Sequence, residues 1–483
     1  MKIIQTLRVN NKDLLTDPFG WRSSQDHIMG WVLSCLLLTK YNDNVELYTD
    51  EAGYRLLIEE LRLPYKKAHI ILDDMNAYRG ELWALSKMKV YALQKESFIH
   101  VDGDVFVWKE FPQEWRNAPL IAQNLEKGTG YYNDILKELS SSLTFIPEEI
   151  DLNITAMGVC SCNAGILGGN DLSFFKKYTT LAFEMVERND CRQLTFRQLN
   201  NFNLVFEQML FGQLAQREGV RVICMLDQVY EDCGYHFADI GDFSVLPYTN
   251  GYIHLLGNHK QNATACDMIH RYVLAHYPQY YFAVKQVFKE PQQFNPKDTS
   301  PNSPVIECLP LEIEEIDDSA RFDKLLEDLR GRSDGMALQD WISRESACLG
   351  NLGYFHLPAE QALNMVLIRD PLVSVVKVTN ELVTRMKNLI GSAEGDAHIA
   401  ISPEIVGGPF QKLLLDTLDC LILCALDEMK SFKLLLDEIR TFFHEEEVAG
   451  QYAVFSGLIM EKVNRLCLYK CIKVILPETL DNK

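Results

Sequence analysis

The first third of the sequence alternates short apolar runs with segments of helical spacing, and this alternation limits the possible folds more than any other feature. The runs Lys2–Leu7, Val45–Thr49, 68–72 and 97–101 have strand length, and apolar residues recur at helical intervals between them. Strands that alternate with helices are typical of βαβ units. The pattern predicts an α/β fold on a largely parallel sheet, in which ligands collect at the carboxyl ends of the strands.

The middle third continues this alternation less regularly. Its pattern predicts strands at 119–123, 162–167 and 220–226, and helices at 171–187 and 202–218. The α/β domain is therefore expected to extend over residues 1–288.

Residues 289–310 interrupt the α/β pattern. This segment, KEPQQFNPKDTSPNSPVIECLP, holds five prolines and few large apolar residues, which is typical of a linker. Beyond it, residues 311–483 show three helical periodicities, a final strand and few other strand signals. The pattern predicts a mainly helical accessory domain. Three helices followed by a strand also resemble a winged-helix unit of the kind that binds leader peptides.

Charge and apolar content exclude several classes of protein. The chain of 483 residues has 47 Lys and Arg against 67 Asp and Glu, a formal charge of −20. Such a surface does not suit general nucleic-acid binding. No apolar stretch approaches the roughly 20 residues that a bilayer demands, and the first residues indicate a strand rather than a signal peptide. The 13 scattered cysteines suit a reducing compartment, so a cytoplasmic location is expected.

The segment FIHVDGDVFVW, residues 98–108, brings two carboxylates to the end of a predicted strand. Asp102 and Asp104 are one residue apart, so in an extended or tightly turned backbone both side chains can point the same way. Converging carboxylates hold Mg²⁺ or Mn²⁺ when substrate phosphates complete the shell. Gly103 lets a ligand approach the backbone closely. The pattern predicts a cation site, with a solvated turn as the alternative.

Two later segments place polar groups beside glycines. In CNAGILGGND, Asn163 offers a donor and an acceptor, which suits sugar hydroxyls; a glycine-rich turn that caps the next helix is the alternative. In HLLGNHK, His254 is a suitable Mn²⁺ ligand and Lys260 a suitable phosphate partner; a surface loop is the alternative.

A further polar pair precedes an apolar helix in FEQMLFGQL. Glu207 and Gln208 are either part of a site or the solvated first turn of that helix.

Taken in order, the three glycine-containing motifs resemble the GT-A-fold nucleotide-sugar glycosyltransferases, especially the glycogenin and family 8 type. The resemblance spans roughly residues 1–285 and implies a Rossmann-type mixed sheet flanked by helices. Its residues are the D-x-D pair Asp102 and Asp104, the N-A-G triplet Asn163, Ala164 and Gly165, and the H-x-x-G-x-x-K residues His254, Gly257 and Lys260.

The resemblance implies a role for each matching residue. Asp102, Asp104 and His254 become ligands of Mn²⁺ or Mg²⁺, and Gly257 and Lys260 lie against the donor diphosphate. Other matches line the donor-sugar pocket or contact the nucleoside and the rest of the donor. The sugar-pocket residues are Asn163, Glu207 and Gln208, and the remaining donor residues are Thr6, Leu7, Asp50 and Lys87.

The function implied by the resemblance is metal-dependent transfer of a sugar from a nucleotide sugar, a UDP-sugar, to a glycan, peptide or protein acceptor. Family 8 enzymes retain the anomeric configuration, so retention is implied. The C-terminal domain is expected to bind the acceptor, a leader peptide or a second copy of the chain. One alternative is a non-catalytic protein that keeps the scaffold and binds a peptide or protein. A nucleotidyltransferase would need a glycine-rich loop after the first strand, and QTLRVNN has no glycine.

Overall fold

The computed structural model describes residues 1–128, 130–152, 159–232, 234–289, 311–333, 336–386, 389–392, 395–403, 410–443 and 451–475. The chain divides into two compact units. The first comprises Met1–Val273 and Ala283–Lys289, and the second comprises Leu274–Phe282 and Glu290–Lys483. The expected linker, 289–310, lies almost wholly outside the described residues.

Twelve strands of the first unit form three sheets within the described residues. The largest has seven strands in the order β10-β6-β9-β4-β1-β2-β3, and the others have the orders β11-β7-β8 and β12-β5. The strands are β1 (Lys2–Leu7), β2 (Val45–Thr49), β3 (Lys67–Ile70), β4 (Phe98–Val101), β5 (Val105–Val107), β6 (Leu120–Ala122), β7 (Leu125–Lys127), β8 (Val159–Cys162), β9 (Ile166–Gly169), β10 (Val222–Cys224), β11 (Tyr230–Glu231) and β12 (Tyr252–His254).

The helices up to residue 287 lie between these strands in the chain or follow the last of them. They are α1 (Ser24–Tyr41), α2 (Glu51–Tyr54), α3 (Leu85–Ala92), α4 (Gly130–Ser140), α5 (Leu172–Glu187), α6 (Phe196–Leu204), α7 (Leu210–Glu218), α8 (Phe237–Ile240), α9 (Leu246–Thr249), α10 (Ala263–His276) and α11 (Pro278–Val287). A π-helical turn, Val205–Met209, joins α6 to α7. Such turns interrupt helices frequently at functional sites.

The seven-stranded sheet is mixed and buried on both faces. Strand β9 runs antiparallel to both β4 and β6, whereas β1 is parallel to β2 and β4. Along β4, Phe98 belongs to one apolar cluster and Ile99 to another. Because side chains alternate between the faces of a strand, the two clusters cover opposite faces of the sheet. The α/β fold and the mixed sheet are therefore confirmed.

The expected strand at 162–167 is wrong. Strand β8 ends at Cys162 and β9 begins at Ile166, so the N-A-G triplet forms a turn between them. The side chain of Asn163 stabilises that turn because its Oδ1 accepts a hydrogen bond from the N–H of Gly165 over 3.0 Å.

The second unit contains two sheets, so the expectation of few strands there is also wrong. The sheets have the orders β13-β15-β17-β18-β16 and β19-β14-β20. Short runs of β-branched residues such as Ser374–Val378 have no helical periodicity, but they are too short to predict a strand from the sequence alone. The strands are β13 (Glu314–Ile316), β14 (Val366–Arg369), β15 (Ser374–Val378), β16 (Leu389–Ile390), β17 (Ala397–Pro403), β18 (Phe410–Leu415), β19 (Lys430–Ser431) and β20 (Ile472–Ile475).

The three expected C-terminal helices are present as α16, α17 and α18, and the expected final strand as β20. The winged-helix arrangement stays a prediction. The helices after residue 310 are α12 (Ser319–Ser333), α13 (Leu338–Leu352), α14 (Ala359–Ala362), α15 (Asn380–Arg385), α16 (Thr417–Ala425), α17 (Phe432–Arg440) and α18 (Tyr452–Leu468). Within the part of the chain that the structure describes, no helix combines the length and apolar character needed to cross a membrane.

Candidate functional site

The two aspartates lie at the carboxyl end of β4, in the turn that leads into β5. The N–H of Asp102 donates to the carbonyl of Gly165 over 2.9 Å, so the D-x-D turn is tied to the N-A-G turn. A Cβ on Gly103 would lie 2.4 Å from the ring of Trp31, which leaves room only for glycine. The contact with Trp31 and the hydrogen bond to Gly165 therefore fix the backbone of the turn that carries Asp102 and Asp104.

Strand pairing brings the histidine to the same place. Strand β12 runs antiparallel to β5, with His254 opposite Val105. The imidazole Nε2 lies 3.5 Å from Oδ1 of Asp104. One possible ligand atom from each of Asp102, Asp104 and His254 lies within 4.8 Å of the other two, so the three residues could hold a metal ion.

A hydrogen bond behind the histidine sets its tautomer. Oε1 of Gln123 lies 2.6 Å from Nδ1 of His254 and also accepts from the hydroxyl of Tyr252 over 2.6 Å. Nε2 of Gln123 donates to Asn124, which identifies Oε1 as the atom facing the ring. Because that oxygen can only accept, Nδ1 carries a proton, and in the neutral form of the imidazole Nε2 presents its lone pair towards Asp104.

The donor set fits a divalent cation. Oδ1 of Asp104 is buried and has no hydrogen-bond partner. It faces the Nε2 lone pair of His254 across 3.5 Å. Two lone pairs directed at each other repel, and a cation between them would bind both. Two carboxylates and an imidazole are also the ligand types that Mn²⁺ accepts.

Two lysines partly neutralise the carboxylates. Nζ of Lys260 lies 2.5 Å from Oδ2 of Asp104. Nζ of Lys87 lies 2.7 Å from Oδ1 of Asp102 and 2.9 Å from Oε1 of Glu207. Three carboxylates therefore surround two ammonium groups, which leaves one negative charge in excess when all five groups are ionised.

The acids of this cluster differ in pKa. Burial raises the pKa of Asp102, and the charge of Asp104 adds to this while Lys87 opposes it. Burial also acts to raise the pKa of Asp104, but the positive charge of Lys260 opposes it, and the pKa of Asp104 lies below its usual value. Burial raises the pKa of Glu207 to about 7, against the opposing charge of Lys87. Asp104 is therefore the acid held most firmly as a carboxylate.

All of these groups line one cavity of about 930 Å³. Of the residues predicted from the sequence, Asp50 is the one that does not line it. The predicted residues that line it are Thr6, Leu7, Lys87, Asp102, Asp104, Asn163, Glu207, Gln208, His254, Gly257 and Lys260. The structure thus brings together side chains from the first 260 residues of the chain.

Asp50 acts on the loop that follows β1. Its Oδ2 accepts from the N–H groups of Val9 and Asn10 over 2.7 and 2.9 Å, and its Oδ1 accepts from the N–H of Gly53. Val9 and Asn10 line the cavity. Asp50 therefore positions that loop without facing the cavity itself.

Sequence reasoning missed a buried carboxylate in the cavity, that of Glu126 on β7. Its oxygens accept hydrogen bonds from the hydroxyls of Tyr132 and Ser161, and from the hydroxyl of Tyr235 over 2.5 Å. The Nδ2 group of Asn163 lies 3.4 Å away. These donors come from distant segments, so no local pattern indicates the cluster.

A second missed feature is a group of three aromatic side chains, two on α1 and one in the segment that precedes it. Nε1–H of Trp31 donates to Nε2 of His27 over 2.9 Å, and the ring of Phe19 stacks on His27 at 4.6 Å. Burial lowers the pKa of His27 to about 3, so this ring is neutral near pH 7. All three side chains line the cavity. In the sequence, Trp31 is one of several apolar residues at helical spacing, and this spacing gives no sign that its side chain lines a cavity.

The site is thus a charged cluster of the kind that holds a metal ion, and it lies in a cavity at the ends of the sheet strands. Residues 1–287 match the model of a family of unknown function, DUF6734. Since the match covers more than half of the sequence, the chain belongs to that family.

The other comparisons add little. No curated protein matches the sequence. The crystal structure of mouse xyloside xylosyltransferase 1, apo form, is similar over 46% of this chain and 84% of that chain, with 10% identity and a TM-score of 0.27. A TM-score this low does not establish a shared fold.

Proposed function

We propose that the protein is a metal-dependent glycosyltransferase that takes its sugar from a UDP-sugar and retains the anomeric configuration. The observation that carries the proposal is the convergence of Asp102, Asp104 and His254 at the end of β4, beside two lysines in one cavity. The order of the D-x-D, N-A-G and H-x-x-G-x-x-K motifs supports the same class of enzyme.

In this proposal, Asp102, Asp104 and His254 hold Mn²⁺ or Mg²⁺. Such an ion acts as a Lewis acid that neutralises charge on a leaving nucleoside diphosphate. Gln123 keeps Nε2 of His254 available as a ligand through its contact with Nδ1. A divalent ion would change the net charge of the cluster from negative to positive. A positively charged site favours the binding of a diphosphate.

The two lysines have different proposed roles: Lys260 contacts the donor diphosphate, and Lys87 positions carboxylates. Lys260 follows Gly257, whose φ of +53° is favourable for glycine. The ammonium group of Lys260 is partly exposed to the cavity, so it can move from Asp104 to a phosphate oxygen. Lys87 is buried and stays between Asp102 and Glu207, where it holds both carboxylates in place.

The sugar pocket is proposed to include Asn163, Glu207 and Gln208. Asn163 lies in a rigid turn, and the π-helical turn places Glu207 at the end of the cavity where Lys87 lies. Thr6 and Leu7 end β1 and line the part of the cavity proposed for the nucleoside.

The test is a screen of UDP-sugars for hydrolysis without acceptor, with and without Mn²⁺, combined with thermal unfolding. We expect one UDP-sugar to be hydrolysed and to raise the unfolding temperature only when Mn²⁺ is present. Asp104→Asn should lose both effects, whereas Asp43→Asn, at an exposed position away from the cavity, should keep them. Stabilisation that does not depend on Mn²⁺, or none by any nucleotide sugar, would contradict the proposal.

A further inference from the structure

Three large aromatic side chains line the cavity while remaining exposed to solvent. Trp83, Tyr131 and Phe196 are 41%, 40% and 70% exposed. Single exposed apolar residues are ordinary, but three around one cavity form a patch of the kind that marks a binding site. We call these three residues the aromatic rim.

The rim residues lie on segments that are bonded to each other. Asn203 on α6 accepts from the N–H of Ala84 over 3.0 Å and donates to the carbonyl of Glu81 over 2.7 Å, which fixes the segment that carries Trp83. Nδ2 of Asn201, also on α6, lies 3.3 Å from a carboxylate oxygen of Glu138 on α4. These bonds hold the segments that carry the aromatic rim together, so binding there requires little rearrangement of the backbone.

The rim adjoins the candidate catalytic centre. Nζ of Lys87 lies 5.0 Å from the centre of the Trp83 ring and 2.7 Å from Asp102. The ring of Tyr131 lies 5.2 Å from that of Tyr132, whose hydroxyl donates to Glu126 inside the cavity. A molecule bound on the rim would thus extend towards the place proposed for the donor sugar.

The polar groups near the rim are mostly neutral or already paired. The amide side chains of Asn200 and Gln208 line the cavity. Glu81 forms an ion pair with Arg79 at 2.7 Å, and Lys87 is held by two carboxylates. Aromatic faces beside amide groups match a saccharide, which has apolar C–H faces and hydroxyl edges. These groups provide few ion-pair partners for the charged termini and side chains of a peptide.

We infer that the aromatic rim is an acceptor subsite and that the acceptor is a neutral saccharide. This inference rests on the proposed function, since it names the acceptor class of the same cavity. The saccharide ring stacks on Trp83 or Phe196, and the amide of Asn200 hydrogen-bonds its hydroxyls.

The test measures binding of the full-length protein to arrayed neutral oligosaccharides and to arrayed peptides, without nucleotide or metal. We expect binding to a defined set of oligosaccharides, weakened at least about tenfold by Trp83→Ala or Phe196→Ala, equivalent to about 1.4 kcal/mol. The matched control is Phe442→Ala, since that phenylalanine is 62% exposed and does not line the cavity. It should bind like the wild type.

Three results would overturn the inference: no oligosaccharide bound, binding unchanged in both rim variants, or binding to peptides instead. Thermal unfolding with UDP-sugar and Mn²⁺, measured on the same preparations, separates the two proposals. If that shift persists without saccharide binding, the acceptor subsite fails alone. If saccharide binding persists without the shift, the transferase proposal fails, and with it the assignment of the rim as an acceptor subsite.

Discussion

Replacement of Gln123 tests whether the tautomer of His254 is set for metal binding. Oε1 of Gln123 lies 2.6 Å from both Nδ1 of His254 and the hydroxyl of Tyr252. Gln123→Met removes this acceptor at similar volume and leaves two buried donors unsatisfied, each costing about 1–3 kcal/mol. Loss of a partner that orients a metal ligand typically lowers metal affinity about 10–100-fold. We expect a loss of that size for Mn²⁺.

The matched variant is Gln123→Glu, which keeps an acceptor facing Nδ1 of His254. A carboxylate in this position is a common partner of metal-bound histidine, so Mn²⁺ affinity should stay near that of the wild type. Affinity is measured by titration calorimetry, with circular dichroism to verify folding. If a folded Gln123→Met protein binds Mn²⁺ as tightly as the wild type, the assigned role of Gln123 is incorrect.

Two predictions concern stability. Arg344→Met should lower the free energy of unfolding of the second unit by about 1–3 kcal/mol, because buried Asp370 loses its partner at 2.9 Å and keeps only the partly exposed Lys473, 3.3 Å away. Arg385→Met, which breaks an exposed pair, should cost at most about 0.5 kcal/mol in urea unfolding; equal losses would contradict this. Burial acts to raise the pKa of Asp26, but hydrogen bonds from His270 and Arg22 outweigh it and lower that pKa. The stability advantage of the wild type over Asp26→Asn should therefore be full above the unfolded-state pKa of about 3.9 and shrink as the pH falls below it. An advantage that does not change between pH 6 and pH 3, an interval of about three units around that pKa, would refute the assignment.

Local patterns were sufficient to predict three strands of the largest sheet, including the strand that ends at the D-x-D pair. Strands β1 and β2 have the predicted bounds, and the D-x-D pair lies at the end of β4 as expected. Strand ends are recognisable because an apolar run of short length stops abruptly at polar residues. His254 was predicted instead from its motif with glycine and lysine, and the strand β12 that it ends was not predicted.

Features built from distant segments could not be predicted in this way. The donors to Glu126 come from residues 132, 161 and 235, and none of these forms a pattern with it in sequence. The aromatic rim likewise draws on three separate elements. In the second unit, Phe410–Leu415 forms a strand, although Leu414 also fits the helical spacing of the apolar residues that follow it. Its apolar spacing suits both structures, and only pairing with Ala397–Pro403 decides between them.

The most direct test of the central claim is anomalous diffraction from crystals soaked with Mn²⁺ and UDP. The account predicts a single strong manganese peak bounded by Asp102, Asp104 and His254, with diphosphate density beside Lys260. A manganese peak elsewhere, or none in this cluster at saturating Mn²⁺ and UDP, would contradict it.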